Sequence, residues 1–344
     1  MKLRKQPFRW IGIITLLFLT LHTGRATHRA LLVGIGQYPA SSGWRPIHAE
    51  NDIELLKAHL QPSYQIETLV NADATYKSIT TALRRLANQT QPGDTVLISY
   101  SGHGQQVIAL EKAHEPDGLD EALIPYDAAN RYSASYKGER HLIDDTLSVA
   151  VDAIRQRAGA QGFVLVLLDA CHSGDSFRED TTELNYRGGY PVFGDPALVD
   201  QLPTVSKYQP KQWMIPDQSG YAAVVYVSAC QSYQLNQEMT PDDTHWYGSL
   251  SYAFSEVYPT LGLRDLPTFC EALRKQVMAY HPTTRQCPEV ASNLTGMQPE
   301  AAQKAEETPA QTSESLVRRI SWQDGAIPLL CCILLMLLSW KKKK

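Results

Sequence analysis

The chain has 344 residues, of which 43% are hydrophobic and 20% are charged. These proportions are typical of a globular protein with a large core, organised as one large domain or two smaller ones. The formal net charge of -4 at pH 7 creates no basic surface field, so nucleic acid is not expected as a partner. The six cysteines have neither the spacing of a disulfide framework nor that of a zinc site.

The two ends of the chain differ in composition from its body. In residues 1–26 a basic start, an apolar run and small residues predict a secretory signal peptide, with an uncleaved anchor as the alternative. Residues 296–325 have the composition of a flexible spacer. Residues 326–344 combine an apolar segment with four terminal lysines, which indicates a membrane anchor or a sorting signal; the alternative is a buried tail helix. These features predict an exported, extracytoplasmic protein that is anchored to the membrane by its C-terminal segment.

The body of the chain, residues 27–295, alternates between strand-like and helix-like segments. Apolar runs typical of strands occupy 29–36, 66–70, 95–100, 164–168 and 221–228, and helical spacing occurs over 47–60, 75–86, 146–157, 249–257 and 266–279. This alternation predicts a parallel sheet covered by helices, with Thr75 capping the second helix. Residues 175–220 form a long polar connector, which is expected to be functional or exposed.

Two predicted strands end in reactive side chains. The first runs into Ser101-Gly102-His103-Gly104, and the second into Asp169-Ala170-Cys171-His172. Neighbouring parallel strands bring their carboxyl ends together at the edge where α/β proteins bind ligands. Cys171 is therefore predicted to be a nucleophile with His103 as its acid–base partner. Cys171 taken alone also fits a structural core thiol.

Carboxylates are concentrated in the polar segments that follow His103. One group is the acidic run around Asp120, and another is the pair Asp144 and Asp145, just before a predicted helix. Such clusters suit a hard cation such as calcium. The alternative is a solvated acidic loop in which Asp144 and Asp145 cap the next helix.

The chain resembles the metacaspases, a group of caspase-like cysteine peptidases. The motifs that carry this resemblance, in the family's order, are Arg29 to Pro39, Tyr100-Ser101-Gly102-His103-Gly104, Asp120-Glu121-Ala122-Leu123-Ile124-Pro125, Asp169-Ala170-Cys171-His172-Ser173-Gly174 and His245-Trp246-Tyr247-Gly248-Ser249-Leu250. The resemblance covers about residues 28 to 291. It implies an α/β caspase-like three-layer sandwich with a mostly parallel six-stranded sheet flanked by helices. True caspases have Gln-Ala-Cys at the nucleophile, so cleavage after aspartate is not expected.

The resemblance also implies catalytic roles. Cys171 attacks the scissile carbonyl, and His103 protonates the leaving amine and then activates water. The backbone N–H groups of Gly104 and Cys171 hold the oxyanion. His172 is a competing imidazole, but adjacent residues on a tight turn usually point apart.

A specificity pocket is implied by three further residues. Asp52, Ser101 and Asp169 match the family's primary pocket, where the carboxylates pair with an arginine or lysine side chain of the substrate. The family often has a cysteine three residues before the first aspartate, where this chain has Ala49. We therefore expect protein or peptide substrates with Arg or Lys before the scissile bond.

Calcium activation is implied less completely. Asp120, Asp144 and Asp145 match the family's ligands, but its fourth aspartate falls on Arg178. Glu179 or Asp180 could substitute, or calcium dependence could be lost, and both outcomes stay open.

The connector 175–220 corresponds to the family linker that joins a large portion, here about 27–178, to a small portion, here about 221–295. Self-cleavage often occurs there. The basic candidates are Arg178, Arg187, Lys207 and Lys211. We favour Arg187, because the glycines that follow it make this bond look the most accessible.

Two alternatives remain at this stage. The first is a related caspase-fold peptidase of other specificity, such as the gingipain- or separase-like groups. The second is an inactive caspase-fold scaffold that recruits partners. The presence of both His103 and Cys171 argues against the scaffold, which needs neither residue.

Overall fold

The computed structural model describes residues 26–109, 118–171, 185–188, 190–202, 215, 218–231, 234–284 and 286–294. The strands are β1 (His28–Gly34), β2 (Tyr64–Val70), β3 (Thr95–Ser101), β4 (Gly104–Ile108), β5 (Leu119–Leu123), β6 (Leu142–Ile143), β7 (Phe163–Asp169), β8 (Ala223–Ser228), β9 (Glu238–Met239), β10 (Tyr247–Gly248) and β11 (Glu289–Ser292). The helices are α1 (Ala49–Leu60), α2 (Tyr76–Gln89), α3 (Asp144–Ala158), α4 (Pro196–Val199), α5 (Ser249–Leu261) and α6 (Leu266–Tyr280).

Six strands form the main sheet, in the order β11-β8-β7-β3-β1-β2. The first five to occur along the chain pair in parallel, and β11 pairs antiparallel with β8 at the edge. The predicted mostly parallel six-stranded sheet is confirmed. The sequence did not reveal β11, because its four residues are too few to show an alternating pattern.

Helices cover both faces of this sheet and make three layers. One core contains Leu83 of α2 and Val151 of α3, packed on Leu31, Val96 and Val164. The other contains Ile53 and Leu56 of α1, Phe254 of α5 and Phe269 of α6. These side chains pack on the next residue of each strand, which is Leu32, Leu97 or Leu165. Successive strand side chains point to opposite faces, so a strand covered on both sides is apolar throughout.

A smaller antiparallel sheet, β4-β5-β6, follows His103. The sequence interpretation of this region as loops is wrong for residues 119–123, which form β5. Its two carboxylates, Asp120 and Glu121, are 5% and 2% exposed, and such buried charges hid the strand pattern.

Two capping predictions have different outcomes. Thr75 accepts a hydrogen bond from the backbone N–H of Ser78 (3.2 Å), so it caps α2 as expected. Asp144 and Asp145 do not cap α3, whose N-cap is Ile143. They occupy its first turn instead, where the helix dipole favours negative charge.

The predicted signal peptide, the spacer and the C-terminal segment all lie outside the described residues, apart from Ala26 at the predicted cleavage point. Within the part that the structure describes, no helix is both long and apolar enough to span a bilayer.

Gly34 at the end of β1 allows α1 to approach the sheet closely. A Cβ atom there would lie 2.3 Å from Cγ1 of Ile53 and 2.9 Å from the backbone oxygen of Ala49. We expect Gly34→Ala to lower the free energy of unfolding by about 1–3 kcal/mol, because it overpacks this contact. Urea denaturation measures the change. Ile53→Ala removes the nearest clashing atoms, so the double variant should lose less stability than the sum of the single variants; simple additivity would contradict the steric explanation.

Candidate active site

The carboxyl ends of the two central strands, β3 and β7, lie side by side. The parallel register places Ser101 opposite Asp169, and the backbone N–H of Gly102 donates to the carbonyl of Asp169 (3.3 Å). His103 and Cys171 each follow these paired residues by two positions. The sheet therefore brings both predicted catalytic residues to one edge. His172, the competing imidazole, lies outside the described residues.

His103 is fully buried in an aromatic surrounding. Its ring stacks on Trp44, with centroids 5.1 Å apart, and meets Tyr190 edge-on at 5.4 Å. Nε2 donates to the carbonyl of Arg45 (2.8 Å), whereas Nδ1 has no hydrogen-bond partner among the described residues. Burial lowers the pKa of His103 to about 4. The imidazole is therefore neutral at pH 7, with an unprotonated Nδ1 that can accept a proton.

Cys171 is also fully buried, and its Sγ lies 2.9 Å from the carbonyl oxygen of Gln234. A second thiol, Cys230, is near the same oxygen at 3.5 Å. A hydrogen bond with Cys171, together with burial, raises the pKa of Cys230. The four cysteines that the structure describes are all free.

The carbonyl oxygen of Arg187 lies between the two backbone donors that were expected to hold an oxyanion. It accepts hydrogen bonds from the N–H of Cys171 (3.0 Å) and of Gly104 (3.2 Å). Arg187 belongs to the connector, so a carbonyl of the chain itself occupies the position predicted from the sequence for a substrate carbonyl.

The side chain of Arg187 is surrounded by three carboxylates. Its Nη1 lies 2.6 Å from Oδ2 of Asp52 and 3.5 Å from Oδ1 of Asp169, and its Nη2 lies 3.0 Å from Oε1 of Glu238. All four side chains are at most 1% exposed. The expectation that Arg187 is accessible is therefore wrong, because its guanidinium is buried in this pocket.

Asp52 and Asp169 are held in place by further donors. Asp52 lies in the first turn of α1 rather than on the preceding loop, and its Oδ1 accepts from the N–H of Gly248 (2.9 Å). Asp169 accepts from Asn236 Nδ2 (2.7 Å) and from both the N–H and the hydroxyl of Ser251 (2.7 and 2.8 Å). Burial and the nearby charge of Asp169 raise the pKa of Asp52, to about 6, against the opposing effect of Arg187.

Ser101, the third predicted pocket residue, reaches the pocket indirectly. Its hydroxyl lies 3.2 Å from that of Ser251, which in turn donates to Asp169. Ala49, at the position where the family often has cysteine, is fully buried at the start of α1.

Sequence reasoning missed Glu238, the third carboxylate. Its two oxygens accept from the backbone N–H and from Nδ1 of His48 (2.9 and 2.7 Å). Burial raises the pKa of Glu238, but Arg187 and these two bonds outweigh burial, so the net shift is downward. Glu238 sits in a polar stretch whose sequence contains no catalytic motif, and only the fold brings it beside Asp52.

The residues before the Arg187 carbonyl are bound as an extra strand. The N–H of Arg187 donates to the carbonyl of Asn236 (2.9 Å), and the N–H of Glu238 donates to that of Asn185 (2.8 Å). Tyr186 and Gln237 form the antiparallel bridge between them. Residues 185–187 therefore lie in an extended conformation along 236–238.

The structure places the three predicted calcium ligands on neighbouring elements. Asp120 is in β5, and Asp144 and Asp145 begin α3, which follows directly on the neighbouring β6. Across the described ranges, no group of three or more His, Cys, Asp or Glu side chains could hold a metal ion. Residues 178–180, which were expected to complete the set, lie outside those ranges.

Comparison with known proteins identifies the family of this chain. The pattern of the caspase domain family matches residues 27–298. Metacaspase-1 of Pyricularia oryzae is 30% identical over 157 residues, covering 42% of this chain and 36% of that protein. Metacaspase-1 of Mycosarcoma maydis is 32% identical over 157 residues, covering 42% and 35% respectively. The match thus spans about a third of the length of these curated relatives.

A crystal structure of a protein from Geobacter sulfurreducens has the same fold, with a TM-score of 0.52 at 24% identity over 77% of this chain and 93% of that one. This chain places His103 and Cys171 just beyond the ends of the two central strands of such a sheet. The chain belongs to the caspase domain family, and the curated relatives described above are metacaspases.

Proposed function

We propose that the protein is a cysteine endopeptidase that cleaves after Arg or Lys, with Cys171 as nucleophile and His103 as acid and base. The observation that carries this proposal is the position of Arg187. Its carbonyl oxygen receives two backbone N–H groups beside the Cys171 thiol, and its guanidinium is bound by three carboxylates. These are the contacts that a substrate residue before the scissile bond requires.

In this mechanism Nδ1 of His103 accepts the proton of the Cys171 thiol, and the sulfur attacks the substrate carbonyl carbon. The N–H groups of Cys171 and Gly104 stabilise the oxyanion that forms. His103 then donates the proton to the leaving amine, which breaks the peptide bond and leaves a thioester on Cys171. Finally His103 takes a proton from water while the water oxygen attacks the thioester carbon. The S–C bond breaks, the carboxylic acid product leaves, and the proton returns from His103 to the Cys171 sulfur. The hydrogen bond from Nε2 to Arg45 supports these roles, because it leaves Nδ1 as the reactive nitrogen.

The pocket supports a basic specificity. Asp52, Asp169 and Glu238 carry three formal negative charges, so a buried cation fits there and an acidic side chain is repelled. A guanidinium can bind several carboxylates at once, whereas an ammonium provides one compact charge, and Arg is therefore expected to be preferred to Lys.

The same contacts support self-processing at the Arg187–Gly188 bond. The segment is bound within its own chain, so its effective concentration at Cys171 is high and cleavage needs no second molecule. The reason for favouring this bond is therefore that Arg187 is buried in the pocket beside Cys171, and not that the loop is accessible.

Two wider features remain proposals. Export and anchoring by the C-terminal segment rest on residues outside the described part, and fractionation of cells that express the full chain tests them. The inactive scaffold is the competing function, and a Cys-directed covalent inhibitor that labels the wild type but not Cys171→Ala would exclude it.

Specificity is tested with fluorogenic peptides that differ only in the residue before the cleaved bond. We expect kcat/KM to be highest for Arg, lower for Lys, and more than about a hundredfold lower for Asp, because a fourth carboxylate would enter the pocket. Glu238→Gln keeps the shape but removes one charge, so it should lower kcat/KM for Arg by about tenfold. Faster cleavage after Asp than after Arg would contradict the proposal.

Self-processing is tested by mass spectrometry of the purified full-length chain. The wild type should yield fragments that end at Arg187 and begin at Gly188. Cys171→Ala should stay intact, Arg187→Ala should not be cut at this bond, and Arg187→Lys should be cut there more slowly. Fragments produced at Lys207 or Lys211 with the 187–188 bond intact would rule out this assignment.

Calcium activation stays a prediction from Asp120, Asp144 and Asp145, and no catalytic step above depends on it. Activity on an Arg peptide should increase when calcium is added and decrease with a chelator, and Asp144→Asn should weaken that response. Equal activity in chelator and in excess calcium would show that the chain has lost the requirement.

A further inference from the structure

The connector does not leave the cleft after Gly188. It continues across the other side of the site, where Tyr190 packs beside His103. We propose that this side of the cleft is a second specificity site, which selects glycine directly after the cleaved bond and an aromatic residue, tyrosine above all, at the third position after it. Substrates would then be proteins containing a basic residue, glycine, any residue and an aromatic residue in that order. This inference rests on the proposed peptidase function and narrows its substrate class.

Both apolar and polar groups contact the Tyr190 side chain. Its ring meets Trp44 edge-on, with centroids 4.5 Å apart, and meets His103 edge-on at 5.4 Å. Its hydroxyl oxygen accepts a hydrogen bond from the backbone N–H of Arg45 (2.9 Å). Trp44 is itself fixed, because it is buried and its Nε1 donates to the carbonyl of Ala128 (3.0 Å). The site therefore has a preformed aromatic wall and a donor aimed at a phenol oxygen.

The neighbouring contacts involve the backbone of the segment. Gln105 donates from Nε2 to the carbonyl of Pro191 (2.7 Å). Further along, Phe193 pairs with β4: its N–H donates to the carbonyl of Gln106 (2.8 Å), and its carbonyl accepts from the N–H of Ile108 (3.0 Å). Any peptide can make these bonds, so they hold the strand in register without reading its sequence. The Phe193 side chain is also buried, with ring centroids 5.6 Å from Tyr136 and 4.3 Å from His141. Tyr190 is the aromatic residue of the segment that contacts His103 itself, so the proposed selectivity is assigned to position 190.

Gly188 is required for a different reason. A Cβ atom on this residue would lie 2.3 Å from the carbonyl oxygen and 3.0 Å from the Cβ of Cys171. The nucleophile's own backbone therefore leaves no room for a side chain directly after the cleaved bond. A larger residue would have to move the peptide away from Cys171, which costs reactivity.

These contacts act only in the first half of the reaction. The residues after the cleaved bond leave with the amine, so they cannot affect hydrolysis of the thioester. The preference should consequently appear in kcat/KM and not in the rate of deacylation.

The test uses quenched fluorescent peptides with the sequence of residues 185–193 and the full-length protein. Tyr190→Ala in the peptide should lower kcat/KM by about tenfold, and Tyr190→Phe, which loses only the hydrogen bond, by about fivefold. Gly188→Ala should lower it by at least tenfold. A peptide with Gly189 and Tyr190 exchanged has the same composition, and it should be as poor a substrate as the alanine peptide.

The enzyme side is tested with Trp44→Phe and Trp44→Ala, scored by the ratio of kcat/KM for the tyrosine and alanine peptides. That ratio should fall towards one in Trp44→Ala and to an intermediate value in Trp44→Phe, whatever the total activity. If Trp44→Ala does not fold, the peptide series still decides the question. Equal cleavage of the original, exchanged and alanine peptides would overturn the second site while leaving the peptidase function intact. Failure to cut any Arg peptide would instead refute the proposed function.

Discussion

The ion cluster of Arg187 with Asp52, Asp169 and Glu238 is the interaction on which the site depends. Three buried carboxylates within reach of one another repel, and each would be costly to bury without a partner. Here one guanidinium lies among all three, and the remaining oxygens accept bonds from Gly248, Asn236, Ser251 and His48. The cation, Arg187, belongs to the connector, so the charge balance of the pocket depends on where the connector lies.

The sheet provides the rigid part of this arrangement. The register of β3 with β7 places His103 and Cys171 at adjacent strand ends. Asp169 is the last residue of β7, and Asp52 comes from α1, which the missing side chain of Gly34 allows to pack closely on β1. The three carboxylates are thus held by strands and a helix, while the connector supplies the cation that they bind.

The connector uses two kinds of contact. Before the proposed scissile position, residues 185–187 pair through the backbone with 236–238, and the Arg187 side chain enters the carboxylate pocket. After it, the backbone pairs with β4 while Tyr190 fills the aromatic surface next to His103. Backbone pairing accepts any sequence, whereas the buried Arg187 and the half-buried Tyr190 make specific side-chain contacts. The proposed substrate is therefore defined by two side chains three positions apart.

The family resemblance, rather than a local pattern, assigned Asp52 to the pocket. The sequence by itself determined the alternation of strands and helices, the location of His103 and Cys171 at strand ends, and the position of Asp169 two residues before Cys171. Those signals are local, because an apolar run and the small residues that end it are contiguous. Glu238, His48 and Tyr190 left no such signal, and neither did β11 or β5. Only the tertiary structure decided that a carboxylate 186 positions beyond Asp52 completes the pocket, and that Arg187 is buried in it rather than exposed. The reason is physical. Pairing across the sheet and burial of charge bring together residues that are far apart in the chain, and local sequence patterns do not show which distant residues will meet.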